Sequence, residues 1–141
     1  MSEAAAALGL EHVVLTSVNR DDLGDGGAAH FAATIEAVRT RIPYSNIEVL
    51  TPDFEGCLEA VDVVAKTSVN VFNHNIETIP RLYQRVRPRA RYERSLRVLR
   101  HVATNYPSKM VKSGMMVGLG ESLDEVFDLL RDLAEAGVEI V

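Results

Sequence analysis

The chain alternates between short apolar runs and longer segments whose apolar residues recur at helical spacing. Residues 12–18 (HVVLTSV) form a short β-branched run, which is typical of a buried strand. In residues 28–42, Phe31, Ile35 and Val38 follow one another at intervals of four and three, which predicts a helix with one apolar face. The same criteria predict further strands at 47–54, 69–76, 110–119 and 138–141, and further helices at 56–67, 79–87, 92–106 and 122–137.

The order of these elements indicates the fold class. Strand and helix alternate four times and a fifth strand follows, which favours parallel strands joined by right-handed crossovers. Ser122 and Glu125 have the spacing of a capping box at the start of the last helix, and Gly137 is its stop signal. We therefore expect one α/β domain over residues 1–141, with about five parallel strands. Since residues 138–141 read as a strand that stops short, we expect an interior piece of a (β/α) barrel, truncated at both ends.

Polar residues cluster where each of the first four predicted strands ends. The clusters lie at residues 16–27, 51–56, 73–78 and 118–122. Because ligands of parallel α/β folds bind at the carboxyl ends of the strands, four such clusters predict a site on one rim.

The cluster NHNIET (73–78) has the most hydrogen-bonding capacity. Asn75 and Glu77 are two positions apart, so on a strand their side chains point the same way. An amide and a carboxylate on one face suit a vicinal diol such as ribose, although a purely structural hydrogen-bond network is the alternative. His74 is either a satisfied buried imidazole or part of the site.

The remaining clusters are less specific. The segment 25–27 is either a turn with a helix cap or a loop whose glycines let backbone N–H groups approach an anionic ligand. Arg87 lies beside Pro88, which stops a helix, and its guanidinium can bind a carboxylate as a fork. Most of the basic stretch around it is expected to be solvated: Arg81, Arg85, Arg89, Arg91 and Arg94.

Composition and charge narrow the classes of partner. The formal net charge is −5, which argues against a nucleic-acid-binding face. No apolar run approaches the ~18 residues of a membrane span, so we expect no membrane partner. The start of the chain lacks the basic region of a secretory signal. Cys57 is the one cysteine, and by itself it provides neither a disulfide nor a metal site.

Several long strings, taken together and in order, resemble lipoyl synthase, a family of radical S-adenosylmethionine enzymes. The resemblance covers residues 4–141 and rests on VVLTSVNRDDLGDGGAAHFAATI, IEVLTPDFEG, VFNHNIETIPRLYQRVRPRARYERSL and KSGMMVGLGES. It implies a partial (β/α)6 barrel of the radical S-adenosylmethionine type. It also implies an enzyme with two four-iron, four-sulfur clusters, one of which cleaves S-adenosylmethionine to a 5′-deoxyadenosyl radical.

The implied reaction inserts two sulfur atoms, at C6 and C8 of an octanoyl chain attached to a lipoyl carrier domain. The second cluster donates the sulfur. The implied partners are an electron donor and the octanoylated carrier, which belongs to a 2-oxoacid dehydrogenase or is the glycine cleavage H protein. A bacterial member of the family is expected in the cytoplasm, and a eukaryotic one in an organelle.

The resemblance also implies roles for individual residues. Thr16 and Ser17 occupy the strand end that holds the methionine amino group, and Arg87 matches an arginine at the methionine carboxylate. Asn75 and Glu77 match the ribose side, in agreement with the diol argument. Three residues match a motif on the adenine side: Gly118, Gly120 and Glu121. Three residues after the first strand face the same rim and are expected near the substrate or the auxiliary cluster: Asn19, Arg20 and Asp21.

One departure from the family pattern concerns the metal. The two cysteine motifs that bind the clusters in this family, and its Arg-Ser-Ser-Tyr segment, do not occur in these 141 residues. Cys57 matches neither motif, so the sequence identifies no metal ligand and no catalytic residue. Two alternatives therefore remain beside a lipoyl synthase fragment. One is a non-catalytic barrel that binds S-adenosylmethionine or a nucleoside, and the other is a generic phosphate-binding (β/α) barrel.

Overall fold

The computed structural model describes residues 1–141 and contains one sheet of four parallel strands in the order β1-β2-β3-β4. Neighbouring strands in the sheet are also consecutive along the chain, and each connection contains at least one helix, as the alternating pattern predicts. The strands are β1 (His12–Thr16), β2 (Asn46–Leu50), β3 (Val71–Asn73) and β4 (Met110–Lys112).

The chain also contains six helices. They are α1 (Ser2–Ala7), α2 (Ala28–Arg41), α3 (Leu58–Ala65), α4 (Pro80–Val86), α5 (Tyr92–Asn105) and α6 (Leu123–Glu135), and a 3-10 turn (Phe54–Gly56) precedes α3. None of the helices combines the length and the apolar character that a bilayer crossing needs.

The two faces of the sheet differ because side chains alternate along each strand. Val13, Val49 and Phe72 belong to the face that packs against the helices, within one apolar core of buried residues. Val14 and Glu48 lie on the opposite face, which we call the open face. Val14 is 54% exposed there.

Two strands are shorter than the sequence predicts. β3 ends at Asn73 rather than at residue 76, and Glu77 has a φ of +69°, which a strand does not accommodate. β4 ends at Lys112 rather than at residue 119, and the apolar residues Met116 and Val117 that suggested a longer strand are exposed.

The prediction of a fifth strand at residues 138–141 is wrong. The sheet has four strands, and within residues 138–141 only Ile140 adds to it, through a single parallel bridge to Lys112. An apolar run of this length does not by itself reveal whether a ladder forms, since that depends on the neighbouring backbone. The α/β class and the partial barrel remain correct.

The capping box at the start of α6 is confirmed. The Ser122 hydroxyl accepts a hydrogen bond from the Glu125 N–H at 3.3 Å, and the Glu125 carboxylate accepts one from the Ser122 N–H at 2.9 Å. The same carboxylate forms a fork with the Arg81 guanidinium at 2.7 and 2.9 Å, which ties α6 to the first turn of α4. Arg81 is the main cause that lowers the pKa of Glu125 to about 2.

Candidate functional site

A cavity of about 180 Å³ lies at the carboxyl ends of β1, β2 and β3. It is the place where the polar clusters of three strands meet, as the parallel topology predicts. Six of the residues proposed from the sequence line it: Thr16, Ser17, Asn19, Asn75, Glu77 and Arg87. The other lining residues are Leu50, Thr51, Pro52 and His74.

The strand ends around this cavity are joined by hydrogen bonds of threonine. The Thr16 hydroxyl donates to the Leu50 carbonyl at 3.2 Å, which links the end of β1 to that of β2. The Thr51 N–H donates to the Asn73 carbonyl at 2.9 Å, which links the end of β2 to that of β3. These bonds fix the backbone from which the polar side chains project.

His74 is a structural residue beside the cavity. It is fully buried, and its Nδ1 lies 2.9 Å from the Thr51 carbonyl, which can only accept, so Nδ1 carries the proton. Its Nε2 then accepts from the Ser95 hydroxyl at 2.9 Å. Burial lowers the pKa of His74, which favours this neutral, doubly bonded imidazole. The structural alternative for His74 is therefore the one that the contacts support.

Asn75 is positioned by two neighbours. The Arg87 guanidinium donates to the Asn75 carbonyl at 3.3 Å, so the two proposed ligand-binding residues are in contact. A Cβ atom at Gly114 would lie 2.9 Å from the Asn75 side-chain oxygen, closer than van der Waals contact permits. The missing side chain at Gly114 therefore makes the observed position of the Asn75 amide possible.

Asn75 and Glu77 do not share a strand, contrary to the prediction from the sequence. Both residues follow the end of β3, and the left-handed φ of Glu77 breaks the period of two on which that prediction depended. Glu77 is instead held by its backbone, which accepts from the Met116 N–H at 2.7 Å and donates to the Gly114 carbonyl at 3.0 Å. Both side chains nevertheless line the same cavity.

A second cavity, of about 770 Å³, adjoins the first and shares Asn19 and Arg87 with it. Its other lining residues are Asp21, Asp53, Glu55, Pro88, Arg89, Ala90 and Arg94. Asp53 and Arg94 form an ion pair at 2.6 Å, and both are largely buried. The first cavity alone is smaller than the roughly 300–1,000 Å³ of most small-molecule sites, so a larger ligand there extends toward the second.

The glycine loop proposed for the adenine side does not line either cavity. The Glu121 carboxylate accepts from the N–H groups of Gly118 and Leu119, and Gly118 is the main cause that lowers the Glu121 pKa. The Gly120 carbonyl accepts from Arg81 at 2.9 Å. The loop thus closes on itself beside the site.

The three residues expected near the substrate, Asn19, Arg20 and Asp21, do not all line the candidate site. Asn19 lines both cavities and Asp21 lines the second. Arg20 lines neither, because its guanidinium forms an exposed fork with Asp22 at 2.7 and 2.8 Å. The structure therefore brings Asn19 and Asp21 to the rim as expected, and it does not bring Arg20 there.

The sequence reasoning missed a polar cluster on the open face. Glu48 is buried and accepts hydrogen bonds from Lys112 at 2.9 Å and Asn73 at 3.1 Å, and it lies 3.2 Å from His12 Nε2. Burial acts to raise the Glu48 pKa, but Lys112 together with the other donors holds it below its usual value. A glutamate in the middle of the apolar run IEVL was the available signal.

Comparison with known proteins gives the family. The sequence matches the radical SAM superfamily over residues 1–133. The chain belongs to the radical SAM superfamily. It is also 52% identical to a lipoyl synthase of Rubrobacter xylanophilus and 54% identical to one of Methylococcus capsulatus, each over the whole of this chain. The chain spans 44% of the length of each of these relatives.

The residues of this radical SAM chain do not fit an iron–sulfur cluster. Such clusters are held by several cysteine thiolates, and the chain has one cysteine, Cys57, which is exposed and lies 3.4 Å from the Glu59 carboxylate. No group of three or more histidine, cysteine or acidic side chains is placed to hold a metal ion. These 141 residues therefore do not provide a ligand set for a cluster.

Proposed function

We propose that this chain is the S-adenosylmethionine-binding part of a lipoyl synthase. The observation that carries the proposal is the cavity at the ends of three parallel strands. It gathers hydroxyl, amide, carboxylate and guanidinium groups from separate parts of the chain. These groups match the hydroxyls of a ribose and the amino and carboxylate groups of an amino acid. The membership of the superfamily and the likeness to two lipoyl synthases support it.

The residues at the methionine end would bind two ligand groups of opposite charge. Arg87 would bind the methionine carboxylate, since a guanidinium pairs with a carboxylate through two parallel hydrogen bonds. The hydroxyls of Thr16 and Ser17 would accept from the methionine amino group. Both hydroxyls now donate to backbone carbonyls, which leaves their lone pairs free to accept.

The residues at the nucleoside end would bind the two ribose hydroxyls. Glu77 offers a carboxylate acceptor, and Asn75 offers an amide whose position Gly114 permits. The loop at 118–121 would support this end from outside, because it follows Met116, whose N–H donates to the Glu77 carbonyl. In this arrangement Asn19 and Asp21 would lie nearer the substrate.

The reaction of the whole protein is the insertion of sulfur at C6 and C8 of a protein-bound octanoyl group. When bound, S-adenosylmethionine supplies the adenosyl group that becomes the hydrogen-abstracting radical. The substrate would be an octanoylated lipoyl carrier domain of a 2-oxoacid dehydrogenase or the glycine cleavage H protein, and an electron donor would be needed. The cytoplasm is the proposed location in a bacterium, and an organelle in a eukaryote.

Binding of S-adenosylmethionine by titration calorimetry tests the proposal. Asn75→Ala is expected to weaken binding about tenfold, because a hydrogen bond to the ligand is worth about 1–2 kcal/mol. Asn46→Ala is the matched control, since Asn46 is exposed at the start of β2, away from the strand-end cavity. Equal affinity of the two variants, or absence of binding by the unmodified protein, would contradict the proposal.

A second candidate is a barrel that binds S-adenosylmethionine or a nucleoside without catalysis. Such a barrel would need no cluster ligands, and these 141 residues contain one cysteine, Cys57. Both candidates require ligand binding, but only the first requires the protein that carries this chain to convert an octanoylated substrate. Mass spectrometry of an octanoyl-lysine peptide after incubation, which detects the mass of two added sulfur atoms, separates them.

A further inference from the structure

Positive charge is concentrated in one part of the chain. Residues 81–100, which we call the arginine segment, contain eight arginines and one acidic residue, Glu93, so their net charge is +7. Since the whole chain has a net charge of −5, the remaining 121 residues carry −12. The segment covers α4, the following loop and most of α5.

Four arginines of this segment have exposed side chains without a partner in the chain, and three of them lie between residues 85 and 91. Arg81 and Arg94 are neutralised by Glu125 and Asp53 within the chain. The guanidinium groups of Arg85, Arg89 and Arg91, in contrast, are exposed and make no ion pair or hydrogen bond in the chain. They are therefore available to an anionic partner.

These arginines border the candidate site. Arg89 lines the second cavity together with Arg87, which also lines the first. Arg85 lies in the last turn of α4 and Arg91 caps the start of α5, on either side of Arg89 along the chain. Inside the second cavity the charges balance, because three arginines face three carboxylates. Arg85 and Arg91 add two exposed positive charges next to these lining residues along the chain.

We propose that Arg85, Arg89 and Arg91 form a docking surface for an acidic face of the protein that carries the octanoyl group. This inference rests on the proposed function. Guanidinium groups match carboxylates as forks, and they are the cations most used at protein interfaces. An acidic protein patch can meet the arginines alone, whereas a long phosphate backbone would also meet the strongly acidic remainder of the chain. The chemistry therefore favours an acidic protein over a nucleic acid.

The test replaces two arginines that line neither cavity of the candidate site. The test variant carries Arg85→Gln and Arg91→Gln, which together remove two exposed positive charges. The control variant carries Arg41→Gln and Lys66→Gln, which remove two exposed positive charges at the ends of other helices. Both variants are made in the full-length protein that carries this chain. The substrates are an acidic octanoylated carrier domain and a short octanoyl-lysine peptide without acidic residues, each measured at low and at high salt.

The Arg85/Arg91 variant is expected to bind the carrier domain about fivefold more slowly at low salt. The KM for the carrier domain should rise while kcat stays unchanged, because exposed charges at an interface act mainly on the association rate. The difference should shrink at high salt, since salt screens exposed charges. The short peptide and S-adenosylmethionine should behave as with the unmodified protein, and the Arg41/Lys66 variant should match the unmodified protein on the carrier.

Three other outcomes would contradict the proposed docking surface. If both variants bind the carrier equally well and the peptide is still converted, the docking surface is wrong and the proposed function stands. If the unmodified protein neither binds S-adenosylmethionine nor converts the peptide, the proposed function fails and the docking surface with it. Tighter binding of a single-stranded RNA than of the carrier domain would overturn the choice of an acidic protein.

Discussion

Buried charge on the sheet is concentrated at Glu48. Its carboxylate is in contact with Lys112, Asn73 and His12, which come from three different strands. Removing one partner from such a cluster leaves the others without compensation, which costs more than the cluster contributes as a whole. Glu48 therefore connects all four strands across the open face.

Glu48→Gln is expected to lower the free energy of unfolding by about 1–3 kcal/mol at neutral pH, because the Lys112 ammonium loses its counter-charge. The folded-state pKa of Glu48 lies below its usual value. The ionised carboxylate therefore contributes its full stabilisation at pH values above the unfolded-state pKa of about 4.3, and this stabilisation is lost as the pH falls through the folded-state pKa. Urea unfolding at neutral and acidic pH measures this.

The control for this prediction is Glu135→Gln, which removes a carboxylate from an exposed residue without an ion pair. It should change the unfolding free energy by less than about 0.5 kcal/mol. A difference between the Glu48 variant and the unmodified protein that stays constant from neutral to acidic pH would contradict the assigned role of the charge.

At the scale of elements, α6 is fixed at its start by side chains that the sequence already pointed to. The capping box of Ser122 and Glu125 satisfies N–H groups of the first turn, and Arg81 adds the link to α4. Local hydrogen bonds of this kind depend on residues three positions apart, so they could be predicted from the sequence. The link to Arg81, forty-four positions away, could not.

Ser122→Ala is expected to lower the free energy of unfolding by about 1 kcal/mol, because the Glu125 N–H loses its acceptor at the helix start. Ser122→Thr keeps a hydroxyl in the same place and should retain most of the stability. Urea unfolding of the two variants beside the unmodified protein gives the comparison. An alanine variant as stable as the threonine variant would show that the cap contributes little.

The residues of the candidate site could be predicted only in part, and the backbone that follows β1 and β3 shows why. The parallel order follows from the alternation of elements, and it places Thr16 and Asn75 at one cavity, which Arg87 joins from the end of α4. The side-chain period did not hold at Glu77, because backbone bonds to Gly114 and Met116 decide the path after β3. Such contacts join distant segments, and a pattern along one segment does not reveal them.

The same limit explains Glu48 and Arg20. A buried carboxylate is stable only with its partners, and those of Glu48 lie on other strands, 25 to 64 positions away. For Arg20 the competing partner was near in sequence, since Asp22 captures its guanidinium. The sequence thus predicted which strands meet, and the partners of individual charges required the structure.

For the whole molecule, the open face of the sheet has the largest consequence. Parallel sheets are normally covered on both faces, but here Val14 and Met110 are about half exposed on strands β1 and β4. The outer edge of β1 also pairs with no further strand. Apolar surface next to an unpaired strand edge favours association between chains. We therefore expect the 141-residue chain, produced alone, to associate or to be partly molten.

Light scattering and binding of a hydrophobic dye measure this association. Replacing Val14 and Met110 with serine should reduce both signals, because the substitutions remove exposed apolar area without touching the core on the other face. Replacing Leu123, which is also exposed but lies on α6, with serine is the matched control and should leave both signals nearly unchanged. A monomeric chain with a sharp, cooperative thermal transition would contradict the expectation, since the helix-covered core alone would then suffice for a stable fold.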